Sequence, residues 1–362
     1  MQTTVKYIFS ALIISLIFAC SPDQRDKLTP KPNAIGKAGQ ILVVAEPEVW
    51  NSLAGEAFRE HLLEEYPVLP RPESRFDVKH VEGVKFTSLR KEWRVIIFLG
   101  DLSQVSKTTK EITRAIGQQG VERAKLEFDY NTTYRENIWA DGQLIIYMFA
   151  PNKAQLLENV QNRTKSVITK IEEADFRKIR ANTYQSGRNR EAMKDISDKF
   201  QVSLDIPGTY RVAVYDSLNN EMWLRRETQT ISSNILLKTM DYDKKTLLTE
   251  ENIIALRDSV GKRMITSAAE GAYMITNQID LPVEFQKTNI RDFYTLEARG
   301  VWELENDFMG GPFLSYMVYN PNTEKVVYMD GFVHAPGEDK RSLMQQLELI
   351  MRSLKFDNRQ TK

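Results

Sequence analysis

The sequence predicts an α+β protein whose antiparallel or mixed β-sheets are covered by helices. Short continuous apolar runs, at residues 41–45 and 144–149, are typical of buried strands. After residue 152, the apolar positions Leu156, Val160 and Val167 recur at the spacing of one helix face. Later strand patterns are separated by short turn segments, which indicate hairpins. Hairpins mixed with helices favour this fold class.

In the first half of the chain, buried strands alternate with helices. Glycines precede the first strand, and Pro67 and Pro70 stop the helix after it, because proline lacks the backbone donor that a helix needs. The predicted strands are at residues 41–45, 94–99 and 144–149, with a further one around His80. The predicted helices are at 48–65, after Asp101 with Val105, Ile112 and Ile116 on the apolar face, after Asn152, and at 190–200.

Strands dominate the second half. The segment 204–208 breaks the helical pattern, and Asn320-Pro321-Asn322 supplies a turn. The predicted strands are at 210–215 and 221–225, which form a hairpin, at 235–240, around Trp302, at 314–319 and at 326–333. The predicted helices are at 249–264 and from Ser342 onward.

These patterns divide the chain into four parts. They are a signal peptide at 1–19, a lipidated cysteine with a flexible tether at 20–33, an α/β domain at 34–202 and an α+β domain at 203–362. In both halves a tryptophan, Trp139 or Trp302, precedes a strand that ends in Ala-Pro and leads into a helix. The sequence leaves open whether the halves are two related α/β sandwiches or share this device by chance.

The amino terminus has the pattern of a lipoprotein signal. Residues 1–6 carry one positive charge, residues 7–19 are almost purely apolar, and Cys20 is the only cysteine. The apolar run is shorter than the ~20 residues that a spanning helix needs. Residues 16–20 resemble a bacterial lipobox, which implies cleavage between Ala19 and Cys20 and acylation of Cys20. An ordinary secretory signal and a short amino-terminal anchor are the alternatives.

The expected location is the cell envelope, with the membrane as a partner through acylated Cys20. By analogy with other lipoproteins, Ser21 is compatible with the outer membrane. Removing residues 1–19 takes away Lys6 and leaves 48 basic against 49 acidic residues. A nucleic-acid partner is not expected, because such binding needs a concentrated basic surface.

Several short segments together resemble one known family. They are residues 32–36, 204–208, 223–226, 302–304, 307–313 and 331–337, of which Met-Gly-Gly-Pro-Phe at 309–313 is the most specific. They resemble the DUF4837 family of uncharacterised Bacteroidota lipoproteins over nearly all of the chain after the signal. The resemblance implies a lipoprotein address and a shared fold. It implies no activity, so no catalytic residue is transferred from it.

The sequence contains no nucleotide-binding, zinc-protease or hydrolase motif, and no cofactor is expected. Its three histidines, His61, His80 and His334, have no recognisable ligand spacing, so no metal is expected. Strand alternation places Asp330, Phe332 and His334 on one face. Asp330 and His334 are therefore catalytic candidates, and Asp307 would join them if the three shared one pocket. An exposed strand edge with polar side chains is the favoured alternative.

The glycine-containing segment at 307–313 is the second candidate region. Its glycines allow close backbone approach, and the apolar side chains beside them could line a groove. The candidate ligand- or partner-binding residues are Trp302, Phe308, Met309, Gly310, Gly311 and Phe313. A tight turn or bulge, required by geometry alone, is the favoured alternative.

Two tripeptides, at 216–218 and 258–260, resemble the Asp-Ser/Thr-apolar signal for O-glycosylation in Bacteroidota envelope proteins. Ser217, in a predicted turn, is the candidate acceptor, whereas Ser259 falls within a predicted helix.

The hypothesis that the whole sequence favours is a non-catalytic envelope module that binds a protein, glycan or small ligand. The alternatives are a lipid-anchored hydrolase using Asp307, Asp330 and His334, and a structural partner in outer-membrane assembly.

Overall fold

The computed structural model describes residues 30–243 and 248–357. Ala19, Cys20 and most of the predicted tether lie outside these ranges. Of the described residues, 30–56 and 79–163 form one compact unit, and 57–78, 164–243 and 248–357 form a second. The α+β prediction is confirmed: helices and strands are mixed, and the sheets are mixed or antiparallel.

The first unit is built on a five-stranded mixed sheet. Its strands are β1 (Gln40–Val44), β2 (Asp77–Val81), β3 (Val95–Asp101), β4 (Thr132–Glu136) and β5 (Leu144–Ala150), in the order β2-β1-β3-β5-β4. β3 pairs in parallel with β1 and β5, while β4 is antiparallel to β5. Every residue of β3 and β5 is buried, which explains their unbroken apolar runs.

Four helices belong to this part of the chain: α1 (Pro47–Trp50), α2 (Leu53–Leu62), α3 (Lys107–Leu126) and α4 (Lys153–Thr183). The helix predicted at 48–65 is therefore two helices, separated at residues 51–52. Val105 precedes α3 and is 89% exposed, so its predicted place on the apolar face is wrong. Asn33, predicted as tether, forms a β-bridge with Asp141.

The second unit is built on an eight-stranded antiparallel sheet in the order β10-β12-β13-β14-β9-β8-β7, with β11 also paired to β12. These strands are β7 (Arg211–Asp216), β8 (Glu221–Glu227), β9 (Ser232–Asp241), β10 (Tyr273–Asn277), β11 (Glu284–Ile290), β12 (Phe293–Glu305), β13 (Gly310–Asn320) and β14 (Lys325–His334). The short strands β6 (Val202–Ser203) and β15 (Lys355–Phe356) pair with each other.

Helices cover both faces of this sheet, because alternate residues of its strands enter two separate cores. On one face, Met329 packs with residues of α5 (Arg190–Phe200) and α7 (Arg341–Met351). On the other, its neighbour Tyr328 packs with residues of α6 (Glu250–Met264). The two units differ in strand order and direction, so their topology gives no support to an internal duplication.

Candidate functional site

A surface pocket of about 440 Å³ opens on the α7 side of the antiparallel sheet. We call it the Arg299 pocket. β11 and β12 form its floor, and α7, the carboxyl-terminal part of α4 and the segment from Tyr66 to Phe76 form its walls. It is lined by Tyr66, Pro67, Arg75, Phe76, Glu172, Asp175, Phe176, Ile179, Gln286, Thr288, Glu297, Arg299, Gln345, Glu348, Leu349 and Arg352.

Arg299 is the centre of the hydrogen bonds in this pocket. Alternation along β12 places Glu297 and Arg299 on the same face, where Arg299 Nε donates to Glu297 Oε1 at 2.6 Å. Arg299 Nη2 donates to Glu348 Oε2 of α7 at 2.9 Å, and Nη1 donates to the Tyr66 hydroxyl at 3.4 Å. Glu297 is almost completely buried, and a buried carboxylate needs such a partner. The cluster therefore has one fixed arrangement.

Burial also sets the protonation of the pocket. It raises the pKa of the Tyr66 hydroxyl to about 12, so the phenol remains protonated at neutral pH. It likewise raises the pKa of Glu172 above the usual carboxyl range, against the opposing effect of Arg75. For Arg299, burial opposes the charged form, but Glu348, Tyr66 and Glu297 outweigh it and raise its pKa. A ligand in the pocket thus meets the charged guanidinium of Arg299, the neutral phenol of Tyr66 and the poorly solvated carboxyl group of Glu172.

Residues far apart in sequence hold the wall of the pocket in place. Glu73 accepts hydrogen bonds from the backbone N–H groups of Lys340, at 2.6 Å, and Arg341, at 3.1 Å. These are the first N–H groups of α7, which has no cap from its own N-cap side chain. Arg341 in turn donates to Asp77 at 2.9 Å. Glu73 therefore caps α7 and fixes the segment that carries Tyr66.

A second arginine cluster lies on the opposite face of the sheet, beneath α6. Arg257 and Asp330 are both 0% exposed, and Arg257 Nε donates to Asp330 Oδ1 at 3.3 Å. The Ser315 hydroxyl donates to the same oxygen at 2.6 Å, and the guanidinium carbon of Arg257 lies 3.8 Å from the centre of the Phe313 ring. Burial raises the pKa of Asp330 above its usual range, although Arg257 and Ser315 act in the opposite direction. No substrate can reach this closed cluster without displacing α6.

The three catalytic candidates do not form one site. β14 is an interior strand between β13 and β9, so the exposed edge expected around Asp330 is wrong. His334, four residues on, is ~13 Å away along the strand, and its Nδ1 hydrogen-bonds the backbone oxygen of Gly310. Asp307 is half-buried in the β12–β13 turn, where hydrogen bonds from Ser267 and the Phe308 N–H lower its pKa.

The Met-Gly-Gly-Pro-Phe segment serves close packing between strands. A Cβ on Gly311 would lie 2.0 Å from the Val333 backbone oxygen, so only glycine fits there. The candidate binding residues around it differ in burial: Phe313 and Trp302 are buried, Met309 is half-buried and Phe308 is fully exposed. The Trp302 indole donates to the Val333 oxygen at 3.2 Å. These side chains do not line a common groove.

Ser217 is exposed in the turn between β7 and β8. Asp216 shapes this turn by accepting a hydrogen bond from the Leu218 N–H at 2.9 Å. Ser259 lies in α6, as expected, and accepts a hydrogen bond from Arg263 at 2.7 Å.

Within the described ranges, no three His, Cys, Asp or Glu residues come together as a metal site. In the same ranges, no helix has both the length and the apolar character required to cross a membrane.

The second unit is thus a three-layer α+β domain with one open and one closed arginine cluster. Residues 189–353, which contain both arginines, match the family described as "Domain of unknown function (DUF4837)". Residues 34–184 match a different family, "Domain of unknown function (DUF8532)". The expected family is confirmed, but over a shorter range than the resemblance suggested. The segment at 32–36 lies outside it.

Comparison with curated proteins gives no match. Among solved structures, the chain is similar to the Ran-binding protein Mog1p of Saccharomyces cerevisiae, with 8% identity over 43% of this chain and 90% of that one and a TM-score of 0.29. It is also similar to a Mog1 E65A mutant, with 9% identity over 44% of this chain and 92% of that one and a TM-score of 0.29. At this level of similarity, neither likeness carries an argument.

Sequence reasoning missed Arg299 and its partners. Charged residues are abundant, and the partners of Arg299 in the second unit lie up to 233 positions away. One local signal was present: Glu297 and Arg299 alternate with Leu296, Ala298 and Gly300 within a strand, which places two opposite charges on one face.

Proposed function

We propose that this protein is a lipid-anchored envelope protein whose second unit binds a small hydroxylated ligand, such as a sugar residue of a glycan, in the Arg299 pocket. The supporting observation is the pocket itself, where a fixed arginine–carboxylate cluster lies beside apolar and aromatic walls. Ligand sites in proteins combine such walls with a few fixed polar groups. Sugars match this combination, since they have apolar ring faces and hydroxyl edges.

The lining supports a hydroxylated ligand more than a strongly charged one. Three arginines and four carboxylates line the pocket, so neither sign of charge predominates. Gln286 and Gln345 add amides that can both donate and accept hydrogen bonds. Phe176 is 49% exposed and offers a ring face for stacking. Hydroxyl groups, which donate and accept alike, are suited to this mixture.

Binding has more support than hydrolysis. Glu297 and Glu348 both accept hydrogen bonds from the Arg299 guanidinium group, so each carboxylate already has a partner within the protein. The hydrolase alternative with Asp307, Asp330 and His334 requires a buried carboxylate, Asp330, to reach a substrate.

The test compares two adjacent glutamines of α7. Gln345 lines the Arg299 pocket, whereas Gln346 accepts a hydrogen bond from Arg226 and does not line it. The purified full chain is titrated with maltose, lactose and chitobiose by calorimetry. We expect at least one of these sugars to bind, and Gln345→Ala to weaken that binding about three- to tenfold through loss of a hydrogen bond.

The control variant, Gln346→Ala, should leave binding unchanged. Absence of binding by all three sugars would overturn the assignment to sugars. Equal losses of affinity in the two variants would show that the sugar binds outside this pocket.

The anchor is tested separately. It rests on the lone Cys20 at the end of an apolar run. We expect Cys20→Ala to abolish acylation, measured by incorporation of labelled palmitate, and to release the protein from membranes during fractionation. A Cys20→Ala protein that still incorporates palmitate would contradict the anchor, whatever the result of the sugar titration.

A further inference from the structure

The first unit contains its own pocket, of about 260 Å³, with an aromatic floor and a cationic rim. We propose that this pocket binds a small organic anion whose apolar part packs against Trp139. Trp139 and Tyr147 form the floor, and Lys91, Arg114 and Arg135 supply the positive charge. We call it the Trp139 pocket.

The rim has more positive than negative charge. Among the residues that the structure describes, Glu111 is the only carboxylate that lines the pocket, and Arg114 Nη1 donates a hydrogen bond to it at 2.5 Å. Within the described ranges, Lys91 and Arg135 form no ion pair with a carboxylate. Lys91 Nζ lies 5.3 Å from the centre of the Trp139 ring. Arg135 donates to the backbone oxygen of Tyr134 at 3.0 Å, which does not neutralise its charge. An anion at the rim would compensate both cations.

The floor is rigid and largely apolar. The Tyr147 ring stacks on Phe98 with centroids 5.1 Å apart, and Phe86 packs against Trp139 at 5.7 Å. Burial, together with the charge of Glu111, raises the pKa of Tyr147 to about 12, so its hydroxyl keeps its proton at neutral pH. A bound group therefore meets aromatic carbon and a neutral hydroxyl below, and two cations at the edge.

These features define the class of ligand. Inorganic phosphate would satisfy the cations but leave the aromatic floor uncovered, and a neutral aromatic molecule would leave the cations uncompensated. The volume is just below the ~300–1,000 Å³ typical of ligand pockets, which limits the ligand to a small molecule. An aryl or short alkyl phosphate or carboxylate satisfies all three conditions.

The test uses three probes with the purified full chain: phenyl phosphate, inorganic phosphate and benzyl alcohol. Binding is followed by calorimetry and by the indole N–H signal of Trp139 in NMR, assigned with Trp139→Phe. We expect phenyl phosphate to bind more tightly than inorganic phosphate, and benzyl alcohol to show no binding. Arg135→Gln should raise the Kd for phenyl phosphate about tenfold, because a charge-assisted hydrogen bond is lost.

Lys110→Gln is the matched control. Lys110 is exposed on α3, does not line the pocket, and its replacement removes the same charge. It should leave the Kd unchanged. Equal weakening by Lys110→Gln and Arg135→Gln would show non-specific attraction and overturn the proposal. So would equal affinities for phenyl phosphate and inorganic phosphate, or an unshifted Trp139 signal.

Discussion

The two arginine clusters of the antiparallel sheet use similar chemistry but differ in their access to water. Arg257 and Asp330 are both 0% exposed, whereas the side chains of Arg299 and Glu348 are 13% and 28% exposed. β12 serves both clusters: Arg299 faces the pocket, and its neighbour Gly300 leaves the space that the Phe313 ring occupies against Arg257. The closed cluster fixes the packing of α6, while the open one also faces a cavity that can hold a ligand.

The largest expected effect is on the closed cluster. Arg257→Met or Asp330→Asn alone should lower the free energy of unfolding by ~3–5 kcal/mol, because each leaves a buried group without its partner. The double variant should lose clearly less than the sum of the two, measured by urea unfolding. Lys194→Met with Asp198→Asn, at an exposed ion pair of α5, is the control and should change stability far less than either single variant of the closed cluster. If the losses of the two single variants simply added in the double variant, Arg257 and Asp330 would not stabilise each other. The description of a closed, coupled cluster would then be wrong.

Arg299→Met should have a smaller effect on stability and a larger one on binding. Water can reach Glu348, one of the two carboxylates that lose their partner, so we expect a loss of ~2 kcal/mol, in the range for hydrogen bonds to charged groups. Binding in the Arg299 pocket should disappear, while Arg257→Met, if folded, should retain it. If Arg299→Met proved as destabilising as Arg257→Met, the distinction between open and closed clusters would not hold.

Glu73→Gln should lower the free energy of unfolding by ~1 kcal/mol, because the cap of α7 loses its charge. Hydrogen exchange should become faster in the segment that carries Tyr66, and ligand binding should weaken with it. Glu65→Gln, at the exposed position just before Tyr66, provides the comparison. Unchanged exchange in the Glu73 variant would show that the wall is held in another way.

The smallest effect concerns alkaline pH. Burial raises the pKa of Tyr66 and Tyr184 to about 12, whereas unfolded tyrosines lose their protons near pH ~10. Between these values the unfolded chain binds fewer protons, so the free energy of unfolding should fall as pH rises from about 10 to about 12. Tyr66→Phe should make this slope shallower in urea unfolding at several pH values. The exposed Tyr294, replaced by phenylalanine, should change it less.

The elements predicted correctly from the sequence are those in which the pattern of apolar residues directly reflects burial. The strands β1, β3 and β5 are continuous apolar runs, and the hairpin of β7 and β8 shows alternation around a turn. It missed β10 and β11, which both pair with β12. β11 is largely exposed and polar, so neither its composition nor its periodicity distinguishes it from a loop.

The candidate site was harder to predict because its contacts are distant in sequence. Strand alternation paired Asp330 with His334, whereas its partner in the structure, Arg257, lies 73 positions away in sequence. The role of the glycines at 310–311 was anticipated only in part: close approach does occur, and the neighbouring group is another strand. The net charge of the chain is zero, and this total gives no indication of how charge is distributed locally. The lining of the Arg299 pocket has balanced charge, whereas that of the Trp139 pocket has more positive than negative charge.

The cap that Glu73 places on α7 has a consequence for biosynthesis. Glu73 and Lys340 are 267 positions apart, so the wall of the Arg299 pocket is translated long before the helix that holds it. At ~5–20 residues per second, about 10–50 s pass between the two. For most of that time the Tyr66 segment lacks the floor of β11 and β12, and for all of it the segment lacks the helix terminus. The pocket therefore forms late, and a chain interrupted before α7 can have no ligand site there.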